Sequence, residues 1–158
     1  MSPHRHPRRP PRLQRIFQGV EPFYLVTFNT HNRLPLLACP AVHRSFVGFA
    51  EEAQRRNIAV GRYVLMPDHV HLFVKMPPGS ITLAQWVQAL KAVLGKVLLD
   101  AGHPKPHWQE GFFDHLLRSG ESYGRKWEYV CQNPVRKGLV ASGADWPYQG
   151  EVCAIPYL

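Results

Sequence analysis

At 158 residues the chain has room for one domain and a single hydrophobic core. Hydrophobic residues make up 45% and charged residues 19%, a balance that excludes a disordered or fibrous chain. Lys and Arg outnumber Asp and Glu by 19 to 11, and the formal net charge of +8 favours polyanionic partners. Three scattered cysteines, Cys39, Cys131 and Cys153, form no CxxC pair and no even set, which suits a reducing cytoplasm rather than a disulfide scaffold. No apolar run reaches the length of a membrane span, so no membrane partner is expected.

Residues 1–20 read as a flexible basic arm, because Arg5, Arg8, Arg9, Arg12 and Arg15 stand among prolines with no acidic residue. Residues 21–158 read as one domain. The segment 23–30 is aromatic and β-branched and predicts a buried strand. Val42, Phe46, Phe49, Ala50 and Ala53 recur at three- and four-residue spacing and predict a helix over 41–56. Two further strands are expected at 58–66 and 69–76, joined by a Pro67-Asp68 turn. After the break at Pro77-Pro78-Gly79, Thr82 and Gln85 form a capping box. Behind it Leu83, Trp86, Leu90, Val93, Val97 and Leu98 mark a helix to Asp100.

A loop over 102–111, a fourth strand over 112–118 and a third helix over 121–133 follow, the helix capped by Ser119 and stopped by Pro134. The tail beyond Ala141, rich in aromatics and prolines, is expected to pack over the sheet. Strand, helix, strand, strand, helix, strand, helix in one chain gives an α+β class: a single domain with an antiparallel sheet and packed helices of ferredoxin-like type.

His69-Val70-His71 is the sharpest chemical feature. Strand side chains alternate, so both imidazoles point to one face and make half of a metal site. Two ordinary hydrogen-bonded histidines fit the same pattern. On the third helix Tyr123, Trp127 and Val130 form the buried stripe, leaving Tyr129 off it. Tyr129 and Asn133, four residues apart, are expected to share a face near the helix end. A half-exposed aromatic and a helix-terminating Asn fit equally well.

Three segments decide between these readings: YVLMPDHVHLFVK at 63–75, WQEGFFDHLLRS at 108–119 and WEYVCQNPVRKGLV at 127–140. In this order and spacing they closely resemble the REP-associated tyrosine transposases, single-tyrosine members of the HUH (His-hydrophobic-His) nuclease superfamily. The resemblance implies the HUH nuclease fold, metal ligands at His69 and His71, completed by Asn133, and Tyr129 as nucleophile. It implies cleavage of single-stranded DNA beside hairpins of repetitive-extragenic-palindrome type, through a 5′-phosphotyrosine, with rejoining and therefore strand transfer.

Two imidazoles and an amide suit Mn²⁺, and Mg²⁺ is the abundant alternative, so either divalent metal is the expected cofactor. Arg118, Arg125, Lys126, Arg136 and Lys137, with Arg12 and Arg15 of the arm, are the expected DNA contacts, and binding should fall steeply with salt. Trp108 and Phe112 offer rings for unpaired bases, with core packing the better reading of Phe112. The resemblance favours a monomer over a dimer. A noncatalytic ferredoxin-like nucleic-acid-binding protein is the alternative, and it leaves the paired histidines unexplained.

Overall fold

The computed structural model describes residues 21–155 apart from Ser80 and Ser119. The expected basic arm over 1–20, with Arg12 and Arg15, and the expected cap Ser119 lie outside the described residues.

Strand β1 (Phe23–Asn29) sends Val26 and Phe28 to one side and Phe23, Leu25, Thr27 and Asn29 to the other, as the two-residue alternation of a strand requires. Strand β3 (His69–Lys75) pairs antiparallel along the whole of β1, with Thr27 opposite His71 and Asn29 opposite His69. Strand β2 (Ala59–Leu65) pairs with the other side of β3 through the tight Met66–His69 turn. The short edge strands β4 (Phe113–Leu116) and β5 (Gln149–Glu151) complete an antiparallel sheet in the order β4-β1-β3-β2-β5.

Helices α1 (Pro40–Ala53) and α2 (Leu83–Asp100) cover one face of this sheet. Phe46, Ala50, Trp86, Leu90, Leu94 and Leu98 meet Val26, Phe28, Leu72 and Val74 there in the main core. The capping box is as expected: the Gln85 amide N–H donates to Thr82 Oγ1, and the Thr82 N–H donates to Gln85 Oε1.

Helix α3 (Gly120–Cys131) lies on the opposite face. Tyr123 meets Phe23 and Phe73 edge-on, Trp127 packs on Phe73, and Val130 joins Val64, Met66 and Trp146. The strands read as near-continuous apolar runs because both faces of the sheet are covered. At the histidine end of that face Asn133 lies over both imidazoles.

Four expectations are corrected. The helix expected over 121–133 breaks at Gln132, and Asn133 begins a separate short helix α4 (Asn133–Arg136) with Pro134 in its first turn. Pro134 has no N–H to donate back to α3, so the hydrogen-bond ladder of α3 ends before it. Val93 is exposed on α2, and Val87, Lys91 and Leu94 take the core face. The fourth strand is four residues rather than seven. The tail packs over the sheet as expected and also adds β5, three residues too short to show a period.

Gly143 fixes the junction of α3 and α4. A Cβ there would lie 2.7 Å from the Cys131 carbonyl oxygen, a backbone atom that cannot yield cheaply. Gly143→Ala should lose about 1–3 kcal/mol through overpacking. Gly48, inside α1 with nothing within 4 Å of its absent Cβ, should gain about 0.5–1 kcal/mol on replacement by Ala. Urea melts of the two variants should therefore shift in opposite directions.

Candidate active site

The histidines stand at the start of β3, where the turn from β2 presents them on the α3 face. His69 is 5% exposed and lies 4.8 Å, ring to ring, from half-buried His71. Behind them, His69 Nδ1 lies 2.7 Å from Asp68 Oδ1 and His71 Nδ1 lies 2.7 Å from Thr27 Oγ1. In front, the Asn133 amide nitrogen lies 2.8 Å from His71 Nε2 and 3.3 Å from His69 Nε2.

The protons follow from this network. The Asp68 carboxylate only accepts, so His69 carries its proton on Nδ1 and its Nε2 is a bare lone pair. Asn133 Nδ2 donates to that lone pair and to His71 Nε2, so His71 donates its own Nδ1–H to Thr27. Two neutral imidazoles thus point their free lone pairs at one place, each oriented from behind by an oxygen. That arrangement suits a divalent metal, whose histidine ligands are usually held by such an outer hydrogen bond.

Asn133 carries a carbonyl oxygen on the same carbon as its NH₂, and a half-turn of the amide offers that oxygen as a third donor. No cluster of three or more His, Cys, Asp or Glu suited to a metal exists among the described residues. The candidate set is therefore two imidazoles and one amide, which leaves coordination positions open.

The electrostatics keep both rings neutral. Burial lowers the His69 pKa against the opposing pull of Asp68, and the Arg33 and Lys137 charges lower it further. Burial, then the neighbouring His69, Arg136 and Arg33, push His71 down to about 3. Burial would raise the Asp68 carboxyl, but hydrogen bonds from His69 and Arg33 outweigh it and hold the group below its usual range.

Arg33 reaches Asp68 Oδ2 at 2.8 Å from a loop in which Asn32 and Arg33 both take the left-handed region, with φ of 53° and 56°. Non-glycine residues enter that region at a cost and cluster in this way at functional sites. Beside the pair, Asn29 lies opposite His69 and donates to Gln109 Oε1 at 3.4 Å, while the Gln109 N–H donates to the Asn29 carbonyl. Buried Lys91 holds this loop from α2, its Nζ donating to the Gln109 and Gly111 carbonyls.

Tyr129, off the buried stripe as expected, is 66% exposed. Gln132 between α3 and α4 keeps αR backbone, and Asn133, four residues on from Tyr129, reaches the histidines from the start of α4. The Arg136 guanidinium, from α4, stacks 4.1 Å over the Tyr129 ring, and its charge is felt at His71. Arg136 thus joins tyrosine and histidines electrostatically. Arg125, Lys126 and Tyr129, with Ser122, line a cleft of about 440 Å³.

Lys137 is exposed, and its charge acts on His69. Arg118 is exposed at the far edge, just past β4. Phe112 does not present an open stacking face, whereas Trp108 is half-buried and lines a cleft of about 540 Å³ with His107 and Lys91. Trp108 packs edge-on to Phe28 and donates its indole N–H to the Lys91 carbonyl, and Phe112 is buried.

Among solved structures, that of a REP-associated tyrosine transposase bound to a REP hairpin superposes with a TM-score of 0.66 at 21% identity. The match covers 89% of this chain and 93% of that one. The fold is thus that of a tyrosine transposase. A REP-associated tyrosine transposase of Escherichia coli K12 is 25% identical over 125 residues, 79% of this chain and 73% of the relative. A candidate REP-associated tyrosine transposase of Haemophilus influenzae is 29% identical over 94 residues, 53% of each chain. The family model described as "Transposase IS200 like" matches residues 23–127, two-thirds of the chain, and the chain belongs to that family of transposase enzymes that bind and process DNA. No helix among the described residues is long and apolar enough to cross a membrane.

Both histidines should show the Nδ1–H tautomer at neutral pH in metal-free protein, read from imidazole ¹⁵N shifts. An Nε2–H form at either would contradict the network. Thr27→Val leaves His71 Nδ1–H without its acceptor and should cost about 1–3 kcal/mol by denaturation.

Proposed function

We propose that this chain cleaves and rejoins single-stranded DNA beside a hairpin, with Tyr129 as nucleophile and His69, His71 and Asn133 as the holders of a divalent metal. The convergence of two imidazole Nε2 atoms on the Asn133 amide, each ring oriented from behind by an oxygen, supports the reading. The tyrosine two residues before the end of α3 supplies the nucleophile that a metal half-site alone lacks.

Bound there, Mn²⁺ or Mg²⁺ would neutralise a nonbridging phosphate oxygen and lower the repulsion that a phosphodiester offers an anionic nucleophile. Asp68 and Thr27 orient the two rings, and burial keeps them neutral, the state in which imidazole binds metal. Tyr129 Oη forms a bond to phosphorus as the bond from phosphorus to the 3′-oxygen breaks. The phenol gives up its proton and the departing 3′-oxygen gains one. The 5′-phosphotyrosine keeps the phosphodiester energy, so a 3′-hydroxyl of another strand reverses the step and strands are exchanged without a nucleotide cofactor.

Arg136 holds the exposed phenol ring by its stacked guanidinium and brings positive charge to the phenolate. Exposed Arg118, Arg125, Arg136 and Lys137, with Lys126, supply phosphate contacts, and the arm over 1–20, including Arg12 and Arg15, extends them. The hairpin is proposed because the structural relative is bound to one. We read the region 21–158 as a single domain that acts as a monomer.

End-labelled hairpin oligonucleotides from the sequence flanking the gene test this directly. With Mn²⁺ or Mg²⁺ a labelled covalent band above the free protein is expected on a denaturing gel. Tyr129→Phe should abolish it while changing affinity by no more than about twofold, the usual effect of a surface substitution. Tight binding with no band under any metal would make the chain a noncatalytic DNA-binding domain.

Arg136→Lys keeps the charge but loses the planar stack, and should slow band formation about two- to fivefold at saturating DNA, the worth of an exposed cation–π contact. Arg136→Ala should slow it more. Equal rates in the two variants would exclude a role for the charge.

A further inference from the structure

Among the described residues only two aromatic side chains are exposed, Tyr129 at 66% and Phe113 at 58%. Tyr129 has a role in the reading above. Phe113 has none there, and the strand that carries it buries its other aromatic neighbour, Phe112, in the main core.

The register places Phe113 relative to the histidines. It lies directly opposite Thr27 on β1, and Thr27 lies directly opposite His71 on β3. Residues opposite each other across an antiparallel pair share a face. The hydrogen bond from His71 Nδ1 to Thr27 Oγ1 fixes which face that is. Phe113 therefore stands on the histidine face, two strand spacings or about 10 Å from His71. His115, the next residue on that side of β4, is also exposed, opposite Leu25, and Arg118 follows at the strand's end. An apolar ring is thus held beside the site on a paired strand.

From this geometry we infer that Phe113 is a stacking platform for an unpaired base of the DNA strand whose phosphate sits at His69 and His71. The inference rests on the DNA-cleaving reading and adds to it a base-binding position. A stacked strand advances about 3.4 Å per nucleotide and an extended one further. A base within about three nucleotides of the bound phosphate reaches the ring. Duplex DNA offers no base face to it, so the platform selects single-stranded DNA beside the hairpin stem. Because every base has a π-face, it holds the strand without reading its sequence.

The probe is a DNA hairpin with a single-stranded tail of about eight nucleotides, fluorescently labelled and titrated in metal-free buffer, with each tail nucleotide replaced in turn by an abasic one. In the wild-type protein one abasic position near the cleaved phosphate should weaken binding about tenfold, the scale of one lost stacking contact. Phe113→Ala should weaken the intact probe equally and become indifferent to that abasic position, whereas Phe113→Trp should behave as wild type. Phe113→Thr, a strand former, repeats the Ala arm should Ala disturb β4.

Wild-type affinity in both truncations, or an abasic penalty that persists unchanged in them, overturns the platform. Covalent-band formation by the wild-type protein is followed separately. A band without a Phe113 effect rejects the platform and leaves the cleavage reading standing. An abasic penalty that depends on Phe113, without a band under any metal, rejects cleavage and leaves the platform.

Discussion

Asn133 between two imidazole nitrogens is the contact on which the site depends. A single amide nitrogen, 2.8 and 3.3 Å from the two Nε2 atoms, requires both rings to be neutral and both to carry their protons behind. That requirement runs outward to Asp68 and Thr27, and from Asp68 to Arg33 on a loop in left-handed backbone. It also runs across the fold, because Asn133 comes from the segment after α3 while the histidines come from the second strand of the β2–β3 hairpin. The packing of Tyr123, Trp127 and Val130 on the sheet brings the two parts together. Burial costs the histidines their charged forms, and the oxygens behind them replace the water they lose.

The break between α3 and α4 is the second constraint. Pro134, which has no N–H to continue the ladder, ends α3 there, and Asn133 reaches the histidines from the start of α4. Tyr129 stays in solvent, where a DNA strand can reach it. Arg136, one turn further along α4, then lies over the phenol ring with its charge within reach of His71. The site is thus assembled from two pieces, a strand end and a helix junction, with the Tyr129 phenol exposed beside them.

Much of the frame was legible in the sequence because it rests on local rules. Alternation placed His69 and His71 on one face, helical spacing separated Tyr129 from its buried stripe, and Thr82 with Gln85 capped α2 where expected. The partners behind the histidines were less accessible. Thr27 touches His71 only through the β1–β3 register, which depends on pairing 44 residues apart. Asp68 was read as a turn residue, although a carboxylate beside a candidate ligand is itself a signal of outer-shell support. Lys91 sits at a position whose helical spacing marks it as core, and its charge masked that role. Phe112 and Phe113 could be told apart only once the alternation of β4 was known, since either ring could have faced the core. The end of α3 was missed because a helix stop before proline is set only to within a residue or two by sequence.

The central claim is that His69 and His71 bind one divalent metal through their Nε2 atoms. Pulsed electron paramagnetic resonance on protein loaded with stoichiometric Mn²⁺ measures this directly, through the nitrogen hyperfine couplings of coordinated imidazole. The account predicts couplings from two histidine nitrogens, reduced to one in His69→Ala and in His71→Ala and unchanged in Tyr129→Phe. Mn²⁺ bound with no imidazole coupling, or couplings that survive loss of both histidines, would contradict it.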